Sequence, residues 1–229
     1  MSAAPILAKI LPASAFSEEM ALPAAPDALL PEEAERTRGF SPKRLAEYRA
    51  TRHCARKALA RLGIRNFPVL SAADRAPIWP EGVAGSITHT GDLEAGWCGV
   101  AVASKRDLSS LGIDAEDDTP LPDDIWEEVL TSAERDVLAN LSRQERGLRA
   151  KIAFSAKEAL YKCQYPLSGE FLGFQELAIS LDTERTAFFA SFLRDVGTAF
   201  ARGDALQGRY LHASGLVVTA VWISARRPG

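Results

Sequence analysis

An α+β fold of two similar αβ halves, one over 1–107 and the other over 108–229, is what this sequence predicts, and three observations lead there. Long helical segments with basic residues along one stripe alternate with short runs rich in small and β-branched residues. The runs "GWCGVAVASKR" (96–106) and "GLVVTAVWISAR" (215–226) both set a long apolar strand before Ser and a basic residue. Each follows such a helix, "RKALARLG" in the first half and "KEALYKC" in the second, the order expected of a duplicated unit. Chance likeness of short αβ pieces would give the same pattern.

The elements follow in order. Residues 1–30 are rich in Ala and Pro but carry the acidic pair Glu18-Glu19 and no apolar stretch flanked by basic residues, so no secretory leader is expected. "LLPEEAERTRGFSPKRLAEYRATRHCARKALARLG" reads as a short helix and then a long one, with Ser41 as N-cap, Pro42 at the first helical position and Gly63 as the stop. After a Pro-bearing loop come two strands, "VAGSITHT" and "GWCGVAVAS", joined by "GDLE". "LSSLGIDAE" is a third strand, and "IWEEVLTSAERDVLANL" is helical in its spacing of Ile125, Val129 and Leu138. A second long helix is expected over roughly 144–164, and then three strands, "ELAISLD", "TAFFASFL" and "GLVVTAVWIS".

Composition excludes several classes. With 47% hydrophobic residues, 25% charged ones and a net charge of −3, the chain is neither a disordered nor a nucleic-acid-coating protein, so any basic site is local. Cys54, Cys98 and Cys163 are odd in number and widely spaced, which fits a reducing cytoplasm and no disulfide framework. No apolar run is long enough to span a bilayer, so neither membrane nor nucleic acid is an expected partner. HxH, HExxH, GxSxG, GxxxxGK[ST] and GxGxxG are all absent, which removes the usual zinc, hydrolase, nucleoside-triphosphatase and Rossmann readings.

What remains points to a metal and a phosphate. On a strand, Asp114 and Glu116 of "SLGIDAEDD" face the same way with Cα atoms roughly 6.6 Å apart. Carboxylates that close raise each other's pKa unless a cation lies between them, and Mg²⁺ is the usual answer. Acidic residues at a strand end fraying into solvent have the same spacing. In "FSAKEALYK", Glu158 and Lys162 stand at i and i+4 on one helix face, beside Lys157, with Ile152, Ala156, Ala159 and Cys163 on the buried stripe opposite. If that face meets the strand end, Glu158 adds an oxygen ligand and the lysines reach phosphate oxygens; otherwise it is a surface ion pair. Arg52 occupies a core-facing position between Tyr48 and Ala55, flanked by Arg49 and Arg56, so either a phosphate meets this row or Arg52 snorkels to solvent. His89 ends a strand between Gly85 and Gly91, glycines that permit close approach to a ligand. Spacing alone gives it no more weight than His53 or His212.

Four blocks in order, "RATRHCARKAL", "APIWPEGVAGSITHT", "LGIDAE" and "FSAKEALYK", resemble the 4′-phosphopantetheinyl transferases, in particular the larger single-chain kind that includes enterobactin synthetase component D and serves siderophore, nonribosomal peptide and polyketide synthases. The likeness covers about residues 40–165, and where the family pattern has Gly before the first arginine this chain has Thr51. The resemblance implies a pseudo-twofold, monomeric enzyme with coenzyme A in the cleft between its halves. It would move the phosphopantetheine arm onto a serine of an apo acyl, peptidyl or aryl carrier protein and release 3′,5′-ADP. By motif position it implies Asp114, Glu116 and Glu158 as Mg²⁺ ligands and Glu158 as general base. Lys157, Lys162 and His89 would touch the phosphates, Lys162 and His89 also in catalysis, with Arg52 and Arg56 on the 3′-phosphate and Arg75 near the adenine. A catalytically silent coenzyme A or carrier-binding module, or an acyltransferase, are the competing readings.

Overall fold

The computed structural model describes residues 5–22 and 28–225, and these divide into two units. The first runs to Leu111 and takes back Ser224 and Ala225, whose Ala225 N–H donates to the Asp107 carbonyl at 2.9 Å; the second is Gly112–Ile223. The division falls inside the strand Leu108–Asp117, four residues beyond the expected boundary at 107.

The first unit is one helix on a three-stranded antiparallel sheet. Strands β1 (Ala15–Ala21), β2 (Val83–Thr90) and β3 (Trp97–Ser104) lie in the order β1-β3-β2. A short helix α1 (Pro31–Glu35) precedes α2 (Pro42–Arg61), which begins as expected: Ser41 Oγ accepts the Arg44 N–H and Pro42 follows it. Small residues let α2 lie close on the sheet, Ala50, Cys54, Ala55 and Ala58 packing against Cys98, Val100 and Val102. β1 was not expected, since Glu18, Glu19 and two alanines are poor strand formers. It is an edge strand, and the Glu19 carboxylate accepts the Ile6 and Leu7 N–H groups at 2.7 and 2.9 Å, which holds the preceding segment onto it.

The second unit is a five-stranded sheet in the order β4-β8-β7-β6-β5 with one long helix on it. Its strands are β4 (Leu108–Asp117), β5 (Leu177–Asp182), β6 (Ala187–Phe192), β7 (Ala205–Ala213) and β8 (Leu216–Ser224). β7 was also missed, because Gly208 interrupts its alternation; Gly208 lies opposite Phe188, whose ring fills the space a Cβ would need. The segment expected as one helix is two, α3 (Trp126–Val129) and α4 (Ser132–Ala139). Leu130 is extended, and Thr131 and Glu134 form a capping box that starts the second afresh. Helix α5 (Arg143–Ser168) runs four residues past the expected end, carrying Pro166 in its last turn and stopping at Gly169 in the left-handed region (φ 68°). Ile152, Ala156, Ala159 and Cys163 are buried as the spacing predicted.

Candidate active site

Helix α5 carries a polar stripe, Lys151, Ser155, Glu158 and Lys162, at the i, i+4, i+7, i+11 spacing of one face. Gly112 brings β4 against the helix, for a Cβ there would lie 2.0 Å from the Ala159 carbonyl oxygen. Two residues on, Asp114 meets the stripe: Lys162 Nζ stands 2.7 Å from Oδ1, and Ser155 Oγ donates to Oδ2 at 2.8 Å. Glu116 follows on the same face, with Lys151 Nζ at 3.8 Å from it and 3.6 Å from Asp117. Asp114 is buried and Glu116 half-buried, so β4 does not end in open solvent.

The electrostatics of this cluster are short of positive charge. Burial pushes the Glu116 carboxyl up to about 7, the Asp114 charge adds to the rise, and Lys151 only partly opposes it. Burial, then Asp114, also raises Glu158, against the pull of Lys162. Hard oxygen donors with uncompensated charge suit a hard divalent cation in donor type and in charge. Among the described residues no three His, Cys, Asp or Glu side chains are drawn together as a ligand set, and the cation that meets Asp114 is the Lys162 ammonium.

Lys157 requires a correction. Expected at a phosphate, it is fully buried on another face of α5, where Nζ donates to the Val129 carbonyl (2.8 Å), the Glu134 carboxylate (2.7 Å) and the Phe174 carbonyl (3.0 Å). All three ammonium protons are used, and Glu134 in turn accepts the Ile179 N–H at 2.6 Å. Lys157 therefore ties the end of α3, the start of α4 and β5 together. Lys157→Met leaves Glu134 as a buried, unpaired charge and is expected to cost about 3–5 kcal/mol in urea unfolding. A urea midpoint like the wild type's would instead return Lys157 to the phosphate it was expected to meet.

The first unit holds a basic cluster on α2. Arg52 is buried, stacked 4.0 Å from the Tyr48 ring centre, and donates to two hydroxyls, Thr51 Oγ1 (3.3 Å) and Ser71 Oγ (3.1 Å); its Nε has no partner among the described residues. Burial lowers its pKa. A buried guanidinium with only neutral acceptors is a place for an anion. Arg56, expected beside it, is instead committed to Glu33 at 2.6 Å and the Ala28 carbonyl at 3.1 Å, which is a second correction. His89 Nε2 lies 3.3 Å from Arg44 Nη1, and its Nδ1 is 3.7 Å from Glu47. Arg75 stands exposed on a turn with φ 72°. Gly85 makes a close approach to the Trp79 indole.

Comparison with known proteins decides the family. The 4′-phosphopantetheinyl transferase N-terminal domain matches residues 32–103, and the 4′-phosphopantetheinyl transferase superfamily matches residues 110–217. The 4′-phosphopantetheinyl transferase Svp of Streptomyces mobaraensis is 40% identical over 96% of this chain and 90% of its own length. For the 4′-phosphopantetheinyl transferase PptT of Mycobacterium tuberculosis the figures are 35%, 96% and 99%. Enterobactin synthase component D of Salmonella typhimurium is 32% identical over 56% of this chain and 51% of its own. The chain belongs to the 4′-phosphopantetheinyl transferase family.

Sequence reasoning missed four residues of this transferase that the geometry brings in: Lys151, Ser155, Arg44 and Glu47. For the first two the signal was present, since they extend the Glu158–Lys162 face N-terminally by one and two turns. Arg44 and Glu47 are joined to His89 only through the packing of α2 on the sheet, and no spacing announces that. Among the described residues no helix is long and apolar enough to cross a membrane.

Proposed function

We propose that this transferase moves the 4′-phosphopantetheine arm of coenzyme A to a serine hydroxyl of an apo carrier protein, with the Asp114 cluster as its catalytic centre. The observation that carries the assignment is Asp114 itself, held on Oδ1 by Lys162 and on Oδ2 by Ser155 with Glu116 on the same strand face. Asp114, Glu116 and Glu158 would hold Mg²⁺, which when bound supplies Lewis-acid polarisation of the pyrophosphate. Glu158 is the base by its place on the helix face that carries Ser155 and Lys162 to Asp114. It takes the serine proton as the serine oxygen attacks the β-phosphorus; the new P–O bond forms and the bond to 3′,5′-ADP breaks. Lys162, about a third exposed, and His89 meet the charge that develops on the phosphoryl oxygens. Arg52 takes the nucleotide's 3′-phosphate in place of its two hydroxyl partners, with Arg75 near the adenine.

Acyl, peptidyl and aryl carriers are all within this reading, and the match to an enterobactin synthase component supports a carrier of siderophore assembly. The enzyme is read as monomeric and cytoplasmic. The test is the intact mass of several apo carriers incubated with the chain and coenzyme A, with Mg²⁺ and again with EDTA. A phosphopantetheine increment only with Mg²⁺ is the expected result; unmodified carriers with coenzyme A still bound would favour a silent binding module.

The carboxylate cluster also sets a pH dependence. Because burial and then the Asp114 charge push the folded Glu116 carboxyl from 4.5 up to about 7, its contribution is intact below pH 4.5 and is lost as pH rises through 7, on the order of 3 kcal/mol in metal-free protein. Mg²⁺ restores it. Added MgCl₂ should therefore raise Tm more at pH 8 than at pH 5.5, and an equal gain at both would place the metal elsewhere.

A further inference from the structure

The two oxygens of Asp114 are held differently, one by a charge and the other by a chain of hydroxyls. Ser155 Oγ donates to Asp114 Oδ2, and 2.9 Å behind it lies Thr219 Oγ1 on β8. Thr219 Oγ1 is also 3.0 Å from the Ser155 carbonyl oxygen. Ser155 and Thr219 are fully buried. A carboxylate paired with Lys162 has no proton to give, so Ser155 spends its single proton on Oδ2. Ser155 then offers Thr219 only lone pairs, on Oγ and on its carbonyl, and the one Thr219 proton goes to either. Either bond runs from Thr219 to Ser155, and the Ser155 hydroxyl in turn donates to Asp114.

Packing alone does not call for these hydroxyls. Alanine is the better residue inside a helix, and a valine at 219 would match its neighbours Val217, Val218, Ala220 and Val221 in shape and polarity. Burying two hydroxyls has a cost unless they are hydrogen-bonded, and here the bonds that meet it lead to Asp114. An aspartate's terminal torsion is broad, so a carboxylate held only by a long, partly exposed lysine would swing about it.

We infer that Ser155 and Thr219 are positioning residues for the transfer reaction, fixing the plane of the Asp114 carboxylate so that Oδ2 is turned inward and Oδ1 is presented beside Lys162. The inference rests on the reading of Asp114 as a metal-holding carboxylate. Partners that orient a metal ligand typically change metal affinity or activity 10–100-fold when removed.

The experiment uses the full chain and Mn²⁺ as the probe, its binding read by electron paramagnetic resonance, beside kcat, the coenzyme A KM and Tm. Ser155→Ala should weaken Mn²⁺ binding about 10–100-fold and lower kcat, with the coenzyme A KM within about twofold because the nucleotide contacts are untouched. Thr219→Val should do the same less severely, Thr219→Ser should restore both, and the double variant should be no worse than Ser155→Ala, since Thr219 acts through Ser155. Ser155→Cys, which keeps the volume and a weak donor, should fall between and serves if the alanine variant does not fold. Wild-type Mn²⁺ affinity and kcat in Ser155→Ala or Ser155→Cys, or equal losses in Thr219→Ser and Thr219→Val, would overturn the assignment. A wild-type chain that modifies no carrier fails the functional reading; one that is active and binds Mn²⁺ while Ser155→Ala matches it fails only the positioning role.

Discussion

Glu158→Gln is expected to abolish carrier modification, by about 10²–10⁴ in kcat, the range a positioned general base contributes, while the protein stays folded. A serine hydroxyl is a weak nucleophile near neutral pH, so its proton must leave as the phosphorus is attacked. Glutamine keeps the size and one acceptor of Glu158 but accepts no proton. The change should not harm the fold, because burial and the Asp114 charge already disfavour the ionised carboxylate there. Neutralising it removes a repulsion, so Tm in the absence of metal should hold or rise slightly at pH 8. Intact mass of the carrier over time and a thermal melt check both halves of the expectation. Turnover like the wild type would remove Glu158 as base, and a fall in Tm would show that its charge is compensated more fully than its surroundings indicate.

Much of this was legible from spacing, and the failures have physical causes. Asp114 and Glu116 could be placed on one strand face because a strand's period is fixed, and Glu158 with Lys162 on one helix face for the same reason. Where α2 starts followed from Ser41 and Pro42, whose effects are local. What spacing cannot give is which of several faces a side chain seeks when more than one is buried. Lys157 adjoins Glu158 in sequence yet points about 100° away around the helix, into Glu134 on another element. Arg56 likewise reads as a free guanidinium until α1 brings Glu33 to it. β1 is held by its pairing with β3 from Ala15↔Ala103 to Ala21↔Trp97, a long-range match that overrides weak local propensity. The break between α3 and α4 was present in Thr131 and Glu134 as a capping box, and the apolar spacing across it hid the signal.

Gly112→Ala is expected to be the most damaging single methyl group that can be added near the site. Its Cβ would lie 2.0 Å from the Ala159 carbonyl oxygen and 2.7 Å from the Cys163 nitrogen, and both are backbone atoms of α5. A clash with a flexible side chain is relieved by a rotamer change, but here the helix or the strand must move. Overpacking typically costs 1–3 kcal/mol, and with no side chain to yield, a loss above about 3 kcal/mol is expected, read as a shift of the urea midpoint. The displacement also carries function. Asp114 is two residues along β4 and Ala159 is the neighbour of Glu158, so pushing strand from helix opens the 2.7 Å contact of Asp114 with Lys162 and the 2.8 Å bond from Ser155. Transfer per folded molecule should fall at least as far as in Ser155→Ala. Gly85→Ala is the control: the atoms nearest its Cβ would be those of the Trp79 indole, a side chain and not backbone, in the unit that does not hold Asp114. If Gly112→Ala keeps both the wild-type urea midpoint and wild-type transfer, the close approach of β4 to α5 does not position the carboxylates, and the glycine of "LGIDAE" has some other use.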